Sequence, residues 1–403
     1  MVTRLSTAGF HRNTINAILD SQAKMAKTQT QITTGKRFQT ASEDPIAATR
    51  AAALDRTLAD NAQYERNSNI VESRLSYEEQ TLADVTTLLQ QVRERALQGA
   101  NTTLGNEERK MLANDIRQNL AALMDLSNSD DANGEFLFSG TTTGTRPFAQ
   151  GPGGVSYQGD FTNRQIRISS TQSLPDSHSG VDVFMGIRER NGVFTTNVGA
   201  TNTGSATIDV GQVSDLSSWV PDNYTLQFTT PSDWQVVDDT LPTPNVIATG
   251  TGFTSGQTIT FNGVSMKLTG TPAANDTFTI APAAGVDMFA MLEDLADALV
   301  LPTTTPGDAA IFQSRIGGAI SNMDKALERV VSVRAEVGSR LNAIDQATET
   351  RENEAIDLQS LLSDLRDTDY AAAISQLNIQ YAGLQAAQSA YTKIAQMSLF
   401  DYL

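Results

Sequence analysis

Proline occurs in only two places along this chain. Pro45 stands alone, and the other eleven lie between Pro147 and Pro306, so residues 46–146 and 307–403 contain none. A proline inside a helix removes a hydrogen bond and clashes with the preceding turn, at about 3 kcal/mol, so the two proline-free stretches are free to form very long helices. The 403-residue chain is 39% hydrophobic and 19% charged, which is the composition of a folded protein rather than a disordered or collagen-like one.

Apolar spacing predicts helices in both stretches. Ile15, Ile18, Gln22, Met25, Gln29 and Ile32 step by three and four, a heptad seam with two polar seats, and Gly35 supplies a C-terminal stop. Asp44 as N-cap and Pro45 in the first turn predict a second helix from Ile46 to about Gln98. At 1.5 Å per residue it is about 80 Å long, too long for a compact domain. Leu75, Leu82, Val85, Leu89, Val92 and Ala96 line one of its faces. A turn over 99–105 and an N-cap at Asn106 then introduce a returning helix with Leu112, Ile116, Leu120 and Leu123 on its buried stripe. Late in the chain, Ile316, Ile320, Met323, Leu327, Val330, Val337, Leu341 and Ile344 mark another long helix. A final one carries Ile374, Leu377, Tyr381, Leu384, Ala387, Tyr391 and Ile394, before the ending Ser398-Leu399-Phe400-Asp401-Tyr402-Leu403.

The middle has another character. From Asn133-Gly134 onward, Phe136-Leu137-Phe138, Phe148, Tyr157, Phe161, Ile166 and Ile168 sit among Gly, Thr and Pro and read as short strands and turns. Residues 191–290 contain 19 Thr, 10 Gly and 7 Ser, with Lys267 as the one basic residue against eight Asp. Strands are predicted at 225–228, 257–261, 265–268 and 276–280, with Asn262-Gly263 as a hairpin turn. Residues 1–45 carry six basic and three acidic side chains and residues 357–403 two basic and five acidic, so the two ends are predicted to lie side by side. The fold class is therefore α+β: an elongated rod of bundled N- and C-terminal helices, coiled-coil-like, with short β-hairpins and an inserted all-β domain. The expected divisions are terminal helices 1–45 and 360–403, a helical rod domain 46–190 and 286–359, and an insertion 191–285.

The chain has no Cys and two His, so thiolate chemistry, disulfides, Cys-ligated zinc and His-rich metal sites fall away, and no catalytic, cofactor or metal residue is assigned. A net charge of −17 opposes binding to nucleic acid, and no apolar run is long enough to cross a bilayer. The remaining chemistry is surface burial. Thin apolar seams between alanine-rich faces are marginal in water unless a partner covers them. Ile15, Ile18, Met25, Ile32, Ile374, Leu377, Tyr381, Leu384, Tyr391, Ile394, Leu399, Phe400 and Leu403 are thus expected to form an assembly interface, ordered only on association.

Thr34-Gly35-Lys36-Arg37-Phe38 with Ala41-Ser42-Glu43-Asp44-Pro45, and Arg334-Ala335-Glu336-Val337-Gly338-Ser339-Arg340-Leu341, resemble the N- and C-terminal signatures of the flagellin superfamily of axial filament proteins. Glu135-Phe136-Leu137-Phe138-Ser139-Gly140, Arg146-Pro147-Phe148, Tyr157-Gln158-Gly159-Asp160 and the last six residues resemble its hook–filament junction branch more than flagellin itself. The resemblance spans about 1–190 and 285–403. It implies a non-enzymatic structural subunit of the bacterial flagellum, located outside the cell after type III export without a cleaved signal and only transiently cytoplasmic. It further implies self-assembly into a ring or helical layer between the preceding hook-associated protein and flagellin. A cytoplasmic export chaperone is implied at Leu384, Tyr391, Ile394, Leu399 and Phe400. A flagellin filament subunit is the alternative, and an adhesive insertion using Trp219, Trp234 and Tyr224 to stack on sugars is a more distant one.

Isolated polar residues receive plain assignments. His11 and His178 are expected to face solvent, as are Glu78, Glu79, Arg93 and Arg95 on a helix exterior, with salt bridges from these four to the next subunit as the alternative. Gly151-Pro152-Gly153-Gly154 is expected to connect strands, and Asp369 to cap a helix, since the Asp364, Asp367 and Asp369 group lacks the Gly and distal Glu of a calcium loop.

Overall fold

The computed structural model describes residues 7–240 and 245–396. Seven helices are present among them: α1 (Thr7–Thr34), α2 (Pro45–Gly99), α3 (Asn106–Ser127), α4 (Gly180–Phe184), α5 (Met288–Leu299), α6 (Pro306–Arg366) and α7 (Tyr370–Gln396). The fold class is α+β, as the sequence predicts, with long helices flanking a β-rich middle. Contacts divide the chain into two compact units, residues 1–66 with 346–403, and residues 67–345.

In the first unit α1 and α7 run side by side and antiparallel, His11 meeting Tyr391 at one end and Gly35 meeting Tyr370 at the other. Their ends are fastened by backbone: the Arg37 N–H donates to the Arg366 carbonyl at 2.7 Å and the Thr368 N–H to the Gly35 carbonyl at 2.8 Å. Gly35 has φ +69°, and a Cβ there would come within 2.8 Å of the Tyr370 hydroxyl, so the helix stop doubles as a close-approach point. Asp44 caps α2 by accepting the Ala47 N–H at 3.0 Å, and Asp369 caps α7 by accepting the amides of Ala371 and Ala372. A small core of Phe38, Ala47 and Ala51, with Leu362 against it, holds the base of this unit.

In the second unit Leu75, Leu82, Val85, Leu89, Val92 and Ala96 are completely buried, as their spacing predicts. The helix α3 returns against α5, and Arg117 bridges them through Glu293 at 3.2 Å and Asp297 at 2.6 Å. Asn106 is not the cap of α3: Gly105 takes that position, while the Asn106 amide oxygen accepts from Arg109. Arg109 in turn lies 4.4 Å over the Phe312 ring. Phe136-Leu137-Phe138 forms no strand. Leu137 and Phe138 are buried instead, Phe138 joining Phe148, Phe184 and Phe289 in an aromatic cluster with ring centroids 5.1–6.0 Å apart.

Three two-stranded ladders pair β1 (Phe148–Gly151) with β2 (Gly154–Tyr157), β3 (Gln165–Arg167) with β4 (Ser173–Pro175), and β5 (Ile187–Arg188) with β15 (Gly285–Val286). The Gly151–Gly154 segment is the turn of the first. The insertion contributes β6 (Phe194–Val198), β7 (Thr207–Ile208), β8 (Gln212–Val213), β9 (Tyr224–Phe228), β10 (Trp234–Asp238), β11 (Asn245–Gly250), β12 (Thr258–Phe261), β13 (Val264–Thr269) and β14 (Thr277–Pro282). They form an antiparallel five-stranded sheet in the order β11-β10-β9-β14-β6 and a smaller sheet β12-β13-β7 with β8 also on β13. Tyr224, Leu226, Phe228, Phe278 and Ile280 from the first sheet and Ile259, Phe261, Met266 and Leu268 from the second share one core. All four predicted strands are present, and Asn262-Gly263 turns the β12–β13 hairpin with φ +40° and +73°. Trp219 packs on Phe194 and Tyr224, and Tyr224 is buried with its hydroxyl donating to the Val220 carbonyl at 2.9 Å. The aromatics named as sugar platforms are thus turned toward the core.

Candidate functional site

The α1–α7 pair fills its seam with small, polar and apolar groups together. On α1 the sheltered positions are His11, Thr14, Ile18, Ser21, Met25, Thr28 and Ile32, and on α7 they are Ala373, Leu377, Gln380, Leu384, Ala387 and Tyr391. Gln22 and Gln29, expected as polar seats of the seam, are exposed, and Ser21 and Thr28 stand in their places. The shift has a steric cause: Ser and Thr are short enough to lie between two close backbones, and Thr28 turns its hydroxyl back to the Lys24 carbonyl at 3.1 Å. His11 is half-buried rather than solvent-facing, its ring edge-on to Tyr391 with centroids 5.7 Å apart.

A second set of large apolar side chains is outside. Ile15, Leu19, Ile374, Ile379 and Tyr381 are 42–65% exposed, while Ile18, Met25, Ile32, Leu377 and Tyr391 are half-buried and Leu384 is buried. Leu19 and Ile379 were not singled out by the heptad reading, because a single seam leaves out the positions on a second face. The side chain of Ile394, and Leu399, Phe400 and Leu403 entirely, lie outside the described residues. Covering the rest of each outward residue contributes on the order of 1 kcal/mol, so five of them amount to a surface worth burying against a partner.

Residues 67–345 hold a different constellation, around α2. His178, expected at the surface, is buried: its Nδ1 lies 2.7 Å from Glu78 Oε1 and its Nε2 3.2 Å from Glu336 Oε2. Glu78, expected on the helix exterior, is fully buried, and it also accepts the His178 backbone N–H at 3.2 Å. The reason is visible in the spacing, since Glu78 sits three residues after Leu75 and four before Leu82 on the inward face. Arg340 approaches His178 Nδ1 to 3.5 Å; burial pushes its guanidinium down from the ordinary value, with Glu78 and Glu336 acting against that. Next along α2, buried Arg74 meets Asp131 at 2.9 Å, Glu135 at 3.1 Å and Asp176 at 3.3 Å, and donates to the Phe136 carbonyl at 2.7 Å. Arg164 shares Asp176 at 2.6 Å and Glu135 at 3.2 Å.

Within that network burial alone raises the Asp131 carboxyl. Hydrogen bonds from the Glu135 and Asn133 amides and the Arg74 charge outweigh it and leave the group below 3.8. Tyr157, whose hydroxyl is within 2.9 Å of the Phe138 carbonyl and 2.8 Å of the Asp160 carbonyl, is pushed up to about 12, chiefly by burial. Glu79, Arg93 and Arg95 form ion pairs inside the chain, with Arg334 at 2.6 Å, Asp324 at 2.6 Å and Asp115 at 2.7 Å. The cluster fastens the 128–180 segment to α2 and α6. Among the described residues, no group of three or more His, Cys, Asp or Glu is placed to hold a metal ion, and no helix is long and apolar enough to cross a membrane.

Comparison with known proteins converges on one group. The bacterial flagellin N-terminal helical region matches residues 5–143, the flagellin C-terminal helical region residues 320–403, and the D2-like domain of flagellar hook-associated protein 1 residues 197–282. Flagellar hook-associated protein 3 of Escherichia coli K12 is 26% identical over 399 residues, 99% of each chain. The crystal structure of Xanthomonas campestris FlgL superposes with a TM-score of 0.71 at 31% identity, covering 77% of this chain and 99% of that one. That of flagellar hook-associated protein 3 from Legionella pneumophila gives 0.72 at 28% identity, covering 78% and 98%.

Proposed function

We infer the role from kinship: the chain belongs to the flagellar hook-associated protein 3 family. It is a structural subunit of the bacterial flagellum that joins the hook to the flagellin filament, and its work is binding rather than catalysis. The observation that carries this reading is the second apolar face of the α1–α7 pair, where Ile15, Leu19, Ile374, Ile379 and Tyr381 face outward in addition to the sheltered Ile18, Met25, Leu377 and Leu384 of the seam. Such a pair is half of an interface. Neighbouring copies in a ring or helical layer, the preceding hook-associated protein on one side and flagellin on the other complete it.

The same segment serves earlier. Before type III export a cytoplasmic chaperone covers the stretch from about residue 374 to 403, through Leu384, Tyr391, Ile394, Leu399 and Phe400. Leu384 is buried in its unit, so a chaperone that reads it has to take the place of α1. Terminal segments 1–45 and 360–403 are the assembly elements, residues 46–190 with 286–359 the rod, and 191–285 the outward insertion.

Deletion of the gene, followed by electron microscopy of hook–basal bodies and assay of the medium for flagellin, tests the assignment. Hooks without filaments and flagellin secreted unassembled are expected. Filaments retained in the deletion strain overturn it. Complementation with a chain carrying Ile374→Asp and Tyr381→Asp should give a secreted, folded subunit that fails to restore filaments.

A further inference from the structure

Where the insertion meets α6, a cavity of about 290 Å³ opens between β7, β13 and the helix. Its floor is Arg190, only 8% exposed. The residue holds a left-handed backbone, φ +53°, fixed by donation of its N–H to Asn322 Oδ1 at 2.8 Å. Its guanidinium donates through Nη2 to Asn197 Oδ1 at 2.8 Å, and no carboxylate lies within ion-pair distance among the described residues. Glu189 acts on it only from farther away, and Arg315 acts against it. A buried guanidinium with a single neutral acceptor is an expensive arrangement, and its planar fork suits an oxyanion.

The surroundings are built to keep that charge open. At Gly318 any Cβ would collide with the guanidinium, so this glycine lets Arg190 lie on the helix. At the adjacent Gly317 a Cβ would meet nothing within 4 Å, so packing gives no reason for it. Two successive glycines inside a helix cost about 1 kcal/mol each relative to alanine. Lys267 of β13, exposed and the one basic residue among residues 191–290, also lines the cavity. Asp209 also lines the cavity, but its Oδ1 is engaged by the Gly211 and Lys267 amides at 3.0 and 2.9 Å. Ser314 donates to the Ile208 carbonyl at 3.3 Å and joins the same two walls.

We propose that this cavity binds a small free oxyanion of the phosphate or sulfate class, held between the Arg190 guanidinium and the Lys267 ammonium, which ties the inserted β domain to α6. The anion supplies the charge that the fold leaves out, through bidentate bonds to Arg190. Bound to the folded chain alone, it stabilises that chain by mass action.

Full-length protein is titrated with sodium phosphate against sodium chloride at matched ionic strength, with the urea midpoint and isothermal titration calorimetry as readouts. A saturable rise in midpoint with phosphate, reproduced by sulfate, is expected. Lys267→Gln is expected to weaken phosphate binding about tenfold, the loss of one charged hydrogen bond. Gly317→Leu, whose Cβ would meet nothing within 4 Å and whose side chain crowds the cavity, is expected to abolish it while the circular dichroism spectrum is retained. Arg190→Gln adds a third arm where it folds, and the other two variants carry the test where it does not. No calorimetric binding, an equal response to phosphate in all variants, or a response to acetate without one to phosphate overturns the proposal.

Discussion

Between residues 67 and 99, α2 buries Val71, Leu75, Leu82, Val85, Leu89 and Val92 completely and leaves Ile70, Tyr77 and Leu97 as its large exposed apolar residues, whereas α7, among its described side chains, buries only Ala373 and Leu384 and leaves Ile374, Ile379 and Tyr381 outside. Both segments are long, proline-free and amphipathic. The difference lies in what covers them. The first is wrapped by α3, α6, an aromatic cluster and a web of buried charge, and its polar residues are spent on internal partners such as Asp131 and His178. The second has one narrow companion, and its outward apolar residues Ile374, Ile379 and Tyr381 are left exposed. Regular helix does not imply a finished surface, and the sign of incompleteness is a second row of large apolar side chains left outside the seam.

The contrast is broken most directly at Arg74. Removing it by Arg74→Ala strands Asp131 away from water and leaves Asp176 with Arg164 alone, and a loss of about 3–5 kcal/mol in urea unfolding is expected. A loss below 1 kcal/mol would show that the 67–345 region does not depend on its ionic web. Leu82→Ala comes next, with about 2–5 kcal/mol expected from the cavity it leaves. The two changes lie on one face of α2, so their double variant measures how far web and apolar core act as one.

Acid should sharpen the comparison further. Asp131 has a folded-state value below its unfolded 3.8, so its contribution is fully present above 3.8 and disappears as pH falls through the folded value. The stability of the wild type should therefore drop more steeply below pH 3.8 than that of Asp131→Asn, and parallel curves would remove Asp131 from the account. The smallest effect belongs to the tips. Ile374→Ala and Tyr381→Ala, at exposed sites, should each change monomer stability by no more than about 0.5 kcal/mol while blocking assembly, measured by sedimentation of mixed subunits. A large monomer effect would mean that these side chains already pack within the chain.

Much of the architecture was legible because it rests on local signals. The Asp44-Pro45 start and the Gly35 stop, the Leu75–Val92 stripe and the Asn262-Gly263 turn each need only a few neighbouring residues to act. The burial of His178 was not legible, because its partners lie 100 and 158 residues away along the chain. A trace of it existed in Glu78, a carboxylate between Leu75 and Leu82 on the inward stripe of α2, and such a misfit is a signal for a distant partner. The exact seam of α1 was missed for a subtler reason: Ser21 and Gln22 are both polar, and only the closeness of the opposing backbone decides which turns inward. Leu19 and Ile379 escaped because a heptad describes one stripe and this surface has two.

The antiparallel pairing of α1 with α7 also fixes an order of events. Gly35 and Tyr370 touch, yet nearly the whole polypeptide separates them. In any delivery that proceeds from one end, whichever of the two helices arrives first must wait unpaired until the rest has followed, and closing so long a loop is slow. The tip is thus the last part of the molecule to mature, and a truncated chain can complete its β sandwich while never forming its tip.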